Sequence, residues 1–151
     1  ASYTAGYQNT GYFMKKYAPI SANAALDGDP ALNWGTNTRV IRYADVLLMA
    51  AEANARTNSE STALGYLNQV RNRVGLPAKS SSGAQLIDDI MEERRFELAC
   101  EGNRFHDLVR TGKALEVLGS QGYQSHNNYF PIPQNELDAS NGALTQNPGY
   151  N

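Results

Sequence analysis

The sequence predicts a mainly α-helical chain, built from paired helices joined by irregular loops with little strand. Three observations predict it. Apolar residues recur every three or four positions through about 38–57, 60–74 and 83–100, the period of a helix with a buried face. Between these stretches lie strong stop signals, of which Gly75-Leu76-Pro77 is the clearest. Between Glu92 and Arg110, charges of both signs alternate at helical spacing among apolar residues, as in helices that dock on one another.

Residues 1–37 read as an irregular, aromatic-rich segment. Tyr3, Tyr7, Tyr12, Phe13 and Tyr17 crowd it, and Gly6, Gly11 and Pro19 break any long element. Asp27-Gly28-Asp29-Pro30 is a turn signal that lacks the spaced acids of a calcium loop.

The helical region is taken as 38–151. In its first helix, Val40, Ala44, Leu47, Ala51 and Ala55 line one face, while Tyr43, Val46, Ala50 and Ala53 line another. Two apolar faces predict a helix packed between neighbours, leaving Arg42, Asp45, Met49, Glu52 and Arg56 as the polar strip. The second helix, capped by Ser59, turns Ala63, Leu67, Val70 and Val74 inward. Ser82 and Gln85 have the spacing of a capping box for the third, which runs to about Cys100. A fourth starts near Asn103 after Gly102 redirects the chain, and a short one follows Gly112 to Leu118. Beyond Gly119 the chain is irregular: Phe130-Pro131-Ile132-Pro133 is extended, Pro133–Ala139 can start one helical turn, and Pro148-Gly149 makes a closing turn. Small residues at the helix contacts give tetratricopeptide-like helix pairs, an α-α superhelix in degenerate form. Helix starts near 38 and 83 are about 45 apart, against the roughly 34 of a regular repeat.

In the run from Glu92 to Arg110, Glu93, Glu97 and Glu101 form one acidic row. With Arg42, Arg94, Arg95, Arg104 and Asp107 they make a candidate ionic lattice that sets how helices dock. Paired carboxylates can also do acid–base work, as in a glycosidase using Glu93 or Glu97. A nearby arginine would hold each one ionised, which favours the structural reading. On that reading Arg95→Ala or Glu97→Ala costs a few kcal/mol, as loss of a buried charge partner does.

The totals exclude several classes. The net charge of the 151 residues is −2, with no nucleic-acid footprint. No apolar run reaches the roughly 20 residues of a membrane-spanning helix. Cys100, the only cysteine, is expected as a buried, inert mid-helix thiol. Two histidines without paired cysteines give no metal site, and no cofactor motif occurs. His106 stands beside Asp107 but has no nucleophile partner in a recognisable arrangement.

Four signatures in order carry a family resemblance: Arg42-Tyr43-Ala44-Asp45-Val46-Leu47-Leu48-Met49-Ala50-Ala51-Glu52-Ala53; Leu67-Asn68-Gln69-Val70-Arg71-Asn72-Arg73-Val74-Gly75-Leu76; Glu93 to Leu98 with Glu101 to Arg110; and Pro131 to Leu137 leading to Gln146-Asn147-Pro148-Gly149-Tyr150. The chain resembles the carboxy-terminal portion of the SusD/RagB family, nutrient-binding lipoproteins of the Bacteroidetes cell surface. The resemblance implies a helical fold and a non-catalytic glycan- or nutrient-binding role beside a TonB-dependent transporter in the outer membrane. It implies membrane attachment only through a lipid anchor, which this chain does not carry, and a segment of a longer protein. The matched motifs are scaffold motifs, so no binding residue carries over from them.

Sugar binding needs a flat aromatic face and planar polar partners. Trp34, flanked by Asn33 and Asn37, has that chemistry, as does Tyr12; Tyr123 and Tyr129, near Asn127 and Asn128, follow. The alternative is a helical-repeat scaffold that contacts only protein.

Overall fold

The computed structural model describes residues 39–150, together with Gly6, 10–12 and 14–17. Most of the aromatic segment 1–37 lies outside the described residues. The elements are α1 (Tyr43–Arg56), α2 (Glu60–Arg73), α3 (Gly83–Glu97), α4 (Asn103–Arg110), α5 (Ala114–Leu118) and α6 (Gln134–Ala139), with short 3-10 turns at Gly119–Gln121 and Ser125–Asn128. No strand occurs among the described residues. The fold is mainly helical, with the helix pairs and irregular loops expected of it.

Helix α1 packs most extensively on α2 and then on α3, so it is the central member of a three-helix layer. Leu48, Leu67, Val70, Leu86 and Ile90 form its core, all essentially inaccessible to solvent. Ala51 and Ala63, also fully buried, leave room for α1 and α2 to approach. Helix α2 ends in a Schellman closure: Gly75 N–H donates to Asn72 C=O and Leu76 N–H to Arg71 C=O, both at 3.1 Å, with Gly75 at φ +73°. Pro77 follows. After α4, Lys113 N–H donates to Leu108 C=O at 2.9 Å over Gly112 at φ +71° in the same manner.

Several boundaries and faces differ from expectation. Helix α1 begins at Tyr43 because Arg42 is extended, with φ −123° and ψ 160°. The predicted caps at Ser59 and Ser82 make no side-chain cap bonds. Instead, Gly83 N–H donates to Glu60 Oε1 at 2.8 Å, and Gln85 donates to Asp89. Helix α3 stops at Glu97. Cys100 lies in the turn that follows, left-handed at φ +65° and exposed, so it is not a buried mid-helix thiol. The second apolar face assigned to α1 is open among the described residues: Tyr43 is 71% exposed and Val46 44%. Of the expected polar strip, Asp45 and Glu52 are instead buried beneath arginines from α3 and α4, while Met49 and Arg56 stay exposed. Val74, expected inward, is exposed.

Candidate functional site

The charged residues of α1, α3 and α4 form two connected ion-pair groups. In the first, Arg94 is buried and donates to Asp45 Oδ1 at 2.8 Å and Asp107 Oδ2 at 3.0 Å. Arg110 donates to Asp107 Oδ1 at 2.9 Å and grips Glu52 with both terminal nitrogens, at 2.8 and 2.7 Å. Arg56 adds a bond to Glu52 at 2.9 Å. The hydrogen bond from Arg110 and then that from Arg56 outweigh burial and hold the Glu52 carboxyl below its ordinary pKa, while the Arg110 guanidinium is shifted further up.

The second group closes the end of α3. Arg42 donates through Nε to both oxygens of Glu101, at 3.0 and 2.9 Å, through Nη1 to the Glu97 carboxylate and through Nη2 to the Glu97 carbonyl, both at 2.8 Å. Arg73 reaches the same Glu97 carboxylate at 2.6 Å. Lys16 donates to the carbonyls of Glu97 and Ala99 at 2.8 and 3.2 Å and to Glu101 at 2.6 Å. Two cations thus satisfy carbonyls that the end of a helix leaves without partners. Burial pushes the Glu101 carboxyl up, but the hydrogen bonds from Arg42 and Lys16 together carry it below its ordinary value.

The acidic row of Glu93, Glu97 and Glu101 is therefore engaged residue by residue, with Glu93 bound by Arg71. Arg95 and Arg104, placed in the lattice from sequence, make no ion pair among the described residues. Arg95 is exposed with its guanidinium 5.7 Å from the Phe96 ring centre. Its side chain and that of Arg104 line a separate charged cleft with Asp88 and Glu92. Sequence reasoning missed Arg71, Arg73 and Arg110 as lattice members, because each pairs with a residue on another helix and only the docking brings them together. His106 is exposed, its ring edge-on to Phe105 at 5.7 Å, and the adjacent Asp107 is committed to Arg94 and Arg110. Among the described residues no cluster of His, Cys, Asp and Glu could hold a metal ion. No described helix is long and apolar enough to cross a membrane.

A second feature lies at the other end of the chain. Asn147, Pro148, Gly149 and Tyr150 form a tight turn, closed by Tyr150 N–H to Asn147 C=O at 3.2 Å, with Gly149 at φ +88°. The residues just before and within it clamp the extended segment at 129–132. The Gln146 side-chain amide pairs with both backbone groups of Ile132, at 2.8 and 2.9 Å, as a neighbouring strand would. Asn147 Nδ2 donates to Phe130 C=O and Tyr150 OH to Tyr129 C=O, both at 2.7 Å. Phe105 of α4 lies 6.1 Å from the rings of both Tyr123 and Phe130. These rings, with Tyr129 and Tyr150, surround a cleft of about 380 Å³, and Asn127 and Gln121 are its amide groups. Of the ligand candidates read from sequence, Tyr123, Tyr129 and Asn127 meet here, while Asn128 accepts a hydrogen bond from Tyr123 just outside. Tyr12 is not among the cleft residues and is almost wholly exposed. Trp34 and Asn33 lie outside the described residues.

Comparison with known proteins gives a consistent result. A profile of the SusD family matches residues 2–150. The SusD-like protein P2 of Formosa agariphila is 35% identical over 144 residues, covering 84% of this chain and 28% of the relative. A solved laminarin binding SusD-like protein superposes with a TM-score of 0.84 at 48% identity, covering 99% of this chain and 31% of the other. Surface glycan-binding protein A from Bacteroides thetaiotaomicron superposes with a TM-score of 0.81 at 42% identity, covering 98% of this chain and 32% of the other. The chain thus spans less than a third of the length of each of these three proteins.

Proposed function

The chain belongs to the SusD family, and we propose that it is the carboxy-terminal part of a non-catalytic, cell-surface glycan-binding protein. The observation that carries this reading is its likeness, over nearly the whole chain, to solved proteins whose names state laminarin and surface-glycan binding. On this reading the longer protein sits at the outer membrane on a lipid anchor and passes oligosaccharide to a TonB-dependent transporter. The chemistry of the site supports binding over catalysis. A glycosidase needs two carboxyls roughly 5–10 Å apart with one ready to give up a proton. Glu93 and Glu97 are instead occupied by arginine, Glu93 by Arg71 and Glu97 by Arg42 and Arg73, so neither carboxylate stands open to a substrate.

A glycan array, run on this chain and on the full-length protein that carries it, tests the reading. The expected result is retention of neutral polysaccharide with no new reducing ends on prolonged incubation. No retention by the full-length protein, or steady release of reducing ends, contradicts it. Trp34, Asn33 and Tyr12 remain proposed contacts on their chemistry, and Trp34→Ala in the same assay should weaken binding if they serve. A second reading, a protein-contact scaffold, draws support from the outward face of α1 and the residues just before it, where Val40, Ile41, Tyr43, Val46 and Met49 are exposed. Co-purification with a transporter in the absence of any glycan affinity would favour it.

A further inference from the structure

The geometry points to the cleft between Phe105, Tyr129 and Tyr150 as a subsite for an uncharged sugar ring, an inference that rests on the glycan-binding reading above. Three features of the cleft carry it. The first is composition. Its lining is aromatic, aliphatic, glycine or amide, and no charged side chain takes part. With no cation to pair a carboxylate or sulfate, such a lining selects against uronic or sulfated sugars and for neutral ones. At about 380 Å³ the cleft falls within the roughly 300–1,000 Å³ of small-molecule sites.

The second is presentation. Tyr129 and Phe130 are 61% and 68% exposed, yet the backbone of both is pinned by Tyr150 and Asn147. A ring held open on a fixed backbone loses little freedom when a ligand stacks on it. The apolar C–H face of a pyranose fits such a ring, and a phenol adds a polar edge.

The third is unused hydrogen-bonding capacity. The Gln121 side-chain amide and the Tyr129 hydroxyl have no partner among the described residues, and both belong to the cleft. The other polar groups are internally engaged: Asn127 Nδ2 donates to the Tyr150 hydroxyl at 3.3 Å, and Tyr123 donates to Asn128. The free groups therefore meet sugar hydroxyls, and the engaged ones keep the rings in place. One amide and one phenol, each able to donate and accept, match the dual character of a sugar hydroxyl.

The test is calorimetry on the full-length protein and on this chain, with soluble laminarin and a maltooligosaccharide as neutral probes and oligogalacturonate as the charged one. Tyr129→Ala and Phe130→Ala remove exposed rings, so the thermal midpoint should hold. Each should weaken the preferred neutral glycan about tenfold or more, and Gln121→Ala should weaken it several-fold. Tyr129→Phe should retain the stacking and lose only the hydroxyl contribution, separating the two roles. If the full-length protein binds a neutral glycan and all four variants bind it unchanged, the subsite is overturned while the glycan-binding reading stands. A preference for oligogalacturonate over both neutral probes also overturns it. If the full-length protein binds no glycan, both fall together.

Discussion

Arg94 is the residue on which the first ion-pair group depends. Its buried guanidinium is the only partner of the Asp45 carboxylate among the described residues and shares Asp107 with Arg110. Truncation leaves Asp45 buried without a partner, and breaking such a pair typically costs about 3–5 kcal/mol. Arg94→Ala should show a loss of that order in urea denaturation, whereas Arg95→Ala, at an exposed position without an ion pair, should change it little. The sequence run Arg94-Arg95 could not tell the two apart: adjacent helix positions differ by about 100°, and only the docking of α1 decides which one is buried. Gly149 is the opposite case, a residue whose lack of a side chain matters. A Cβ there would lie 2.5 Å from His126 Cβ, and the residue has φ +88°. Gly149→Ala should therefore lower the thermal midpoint and loosen the clamp on 129–132, seen as faster amide exchange at Ile132. The dipeptide Pro148-Gly149 announced a turn, but nothing in it announced the contact with His126.

At the scale of elements, the end of α3 shows what sequence can and cannot reveal. Gly102 marked the change of direction correctly, with φ +83°. The helix nonetheless ends sooner, at Glu97, and Lys16 and Arg42 take up the carbonyls of Glu97 and Ala99 that its end leaves without partners. Lys16 comes from the aromatic opening, more than eighty positions away in sequence. Local signals therefore could not place it. The same distance hid the Gln146–Ile132 pairing, although the extended Phe130–Pro133 stretch was plain from its prolines. The clamped carboxylates also set the response to acid. The Glu52, Glu101 and Asp89 carboxyls are all held below their ordinary values: Glu52 chiefly by Arg110, and Glu101 and Asp89 by hydrogen bonds that outweigh their burial. A folded pKa below the unfolded one means that the unfolded chain binds more protons in acid. The stabilisation is then complete above the unfolded carboxylate range and is lost as pH falls through the depressed values, from roughly pH 5 downward. Urea midpoints should be level near neutrality and fall below that point, and Glu101→Gln should show a shallower fall. Midpoints that rise on acidification would contradict the lattice.

At the scale of the molecule, helical periodicity and stop signals sufficed for α1 to α3: Leu47, Ala51, Ala63, Leu67 and Val70, read as inward from their spacing, are buried, although Leu48, fully buried beside them, was not singled out. The face of α1 that carries Ala44, Leu47, Ala51 and Ala55 was legible and is buried, but what else of α1 is covered was not. Alanines and tyrosine look apolar in sequence, yet carboxylates became the buried strip once guanidiniums from α3 and α4 lay over them. The aromatic cleft was visible only as scattered tyrosines and asparagines, since Phe105 joins them from α4 through packing. The account thus divides the chain into an ionic framework that holds helices together and a neutral cleft that faces solvent. Glu97→Gln separates these roles most directly, because Glu97 is both a lattice member and the residue a catalytic reading would choose. Thermal midpoint and neutral-glycan affinity should be measured on the same sample of the full-length protein. A lowered midpoint with unchanged affinity is the predicted result; an unchanged midpoint with lost affinity, or with loss of a hydrolytic activity, would contradict the account.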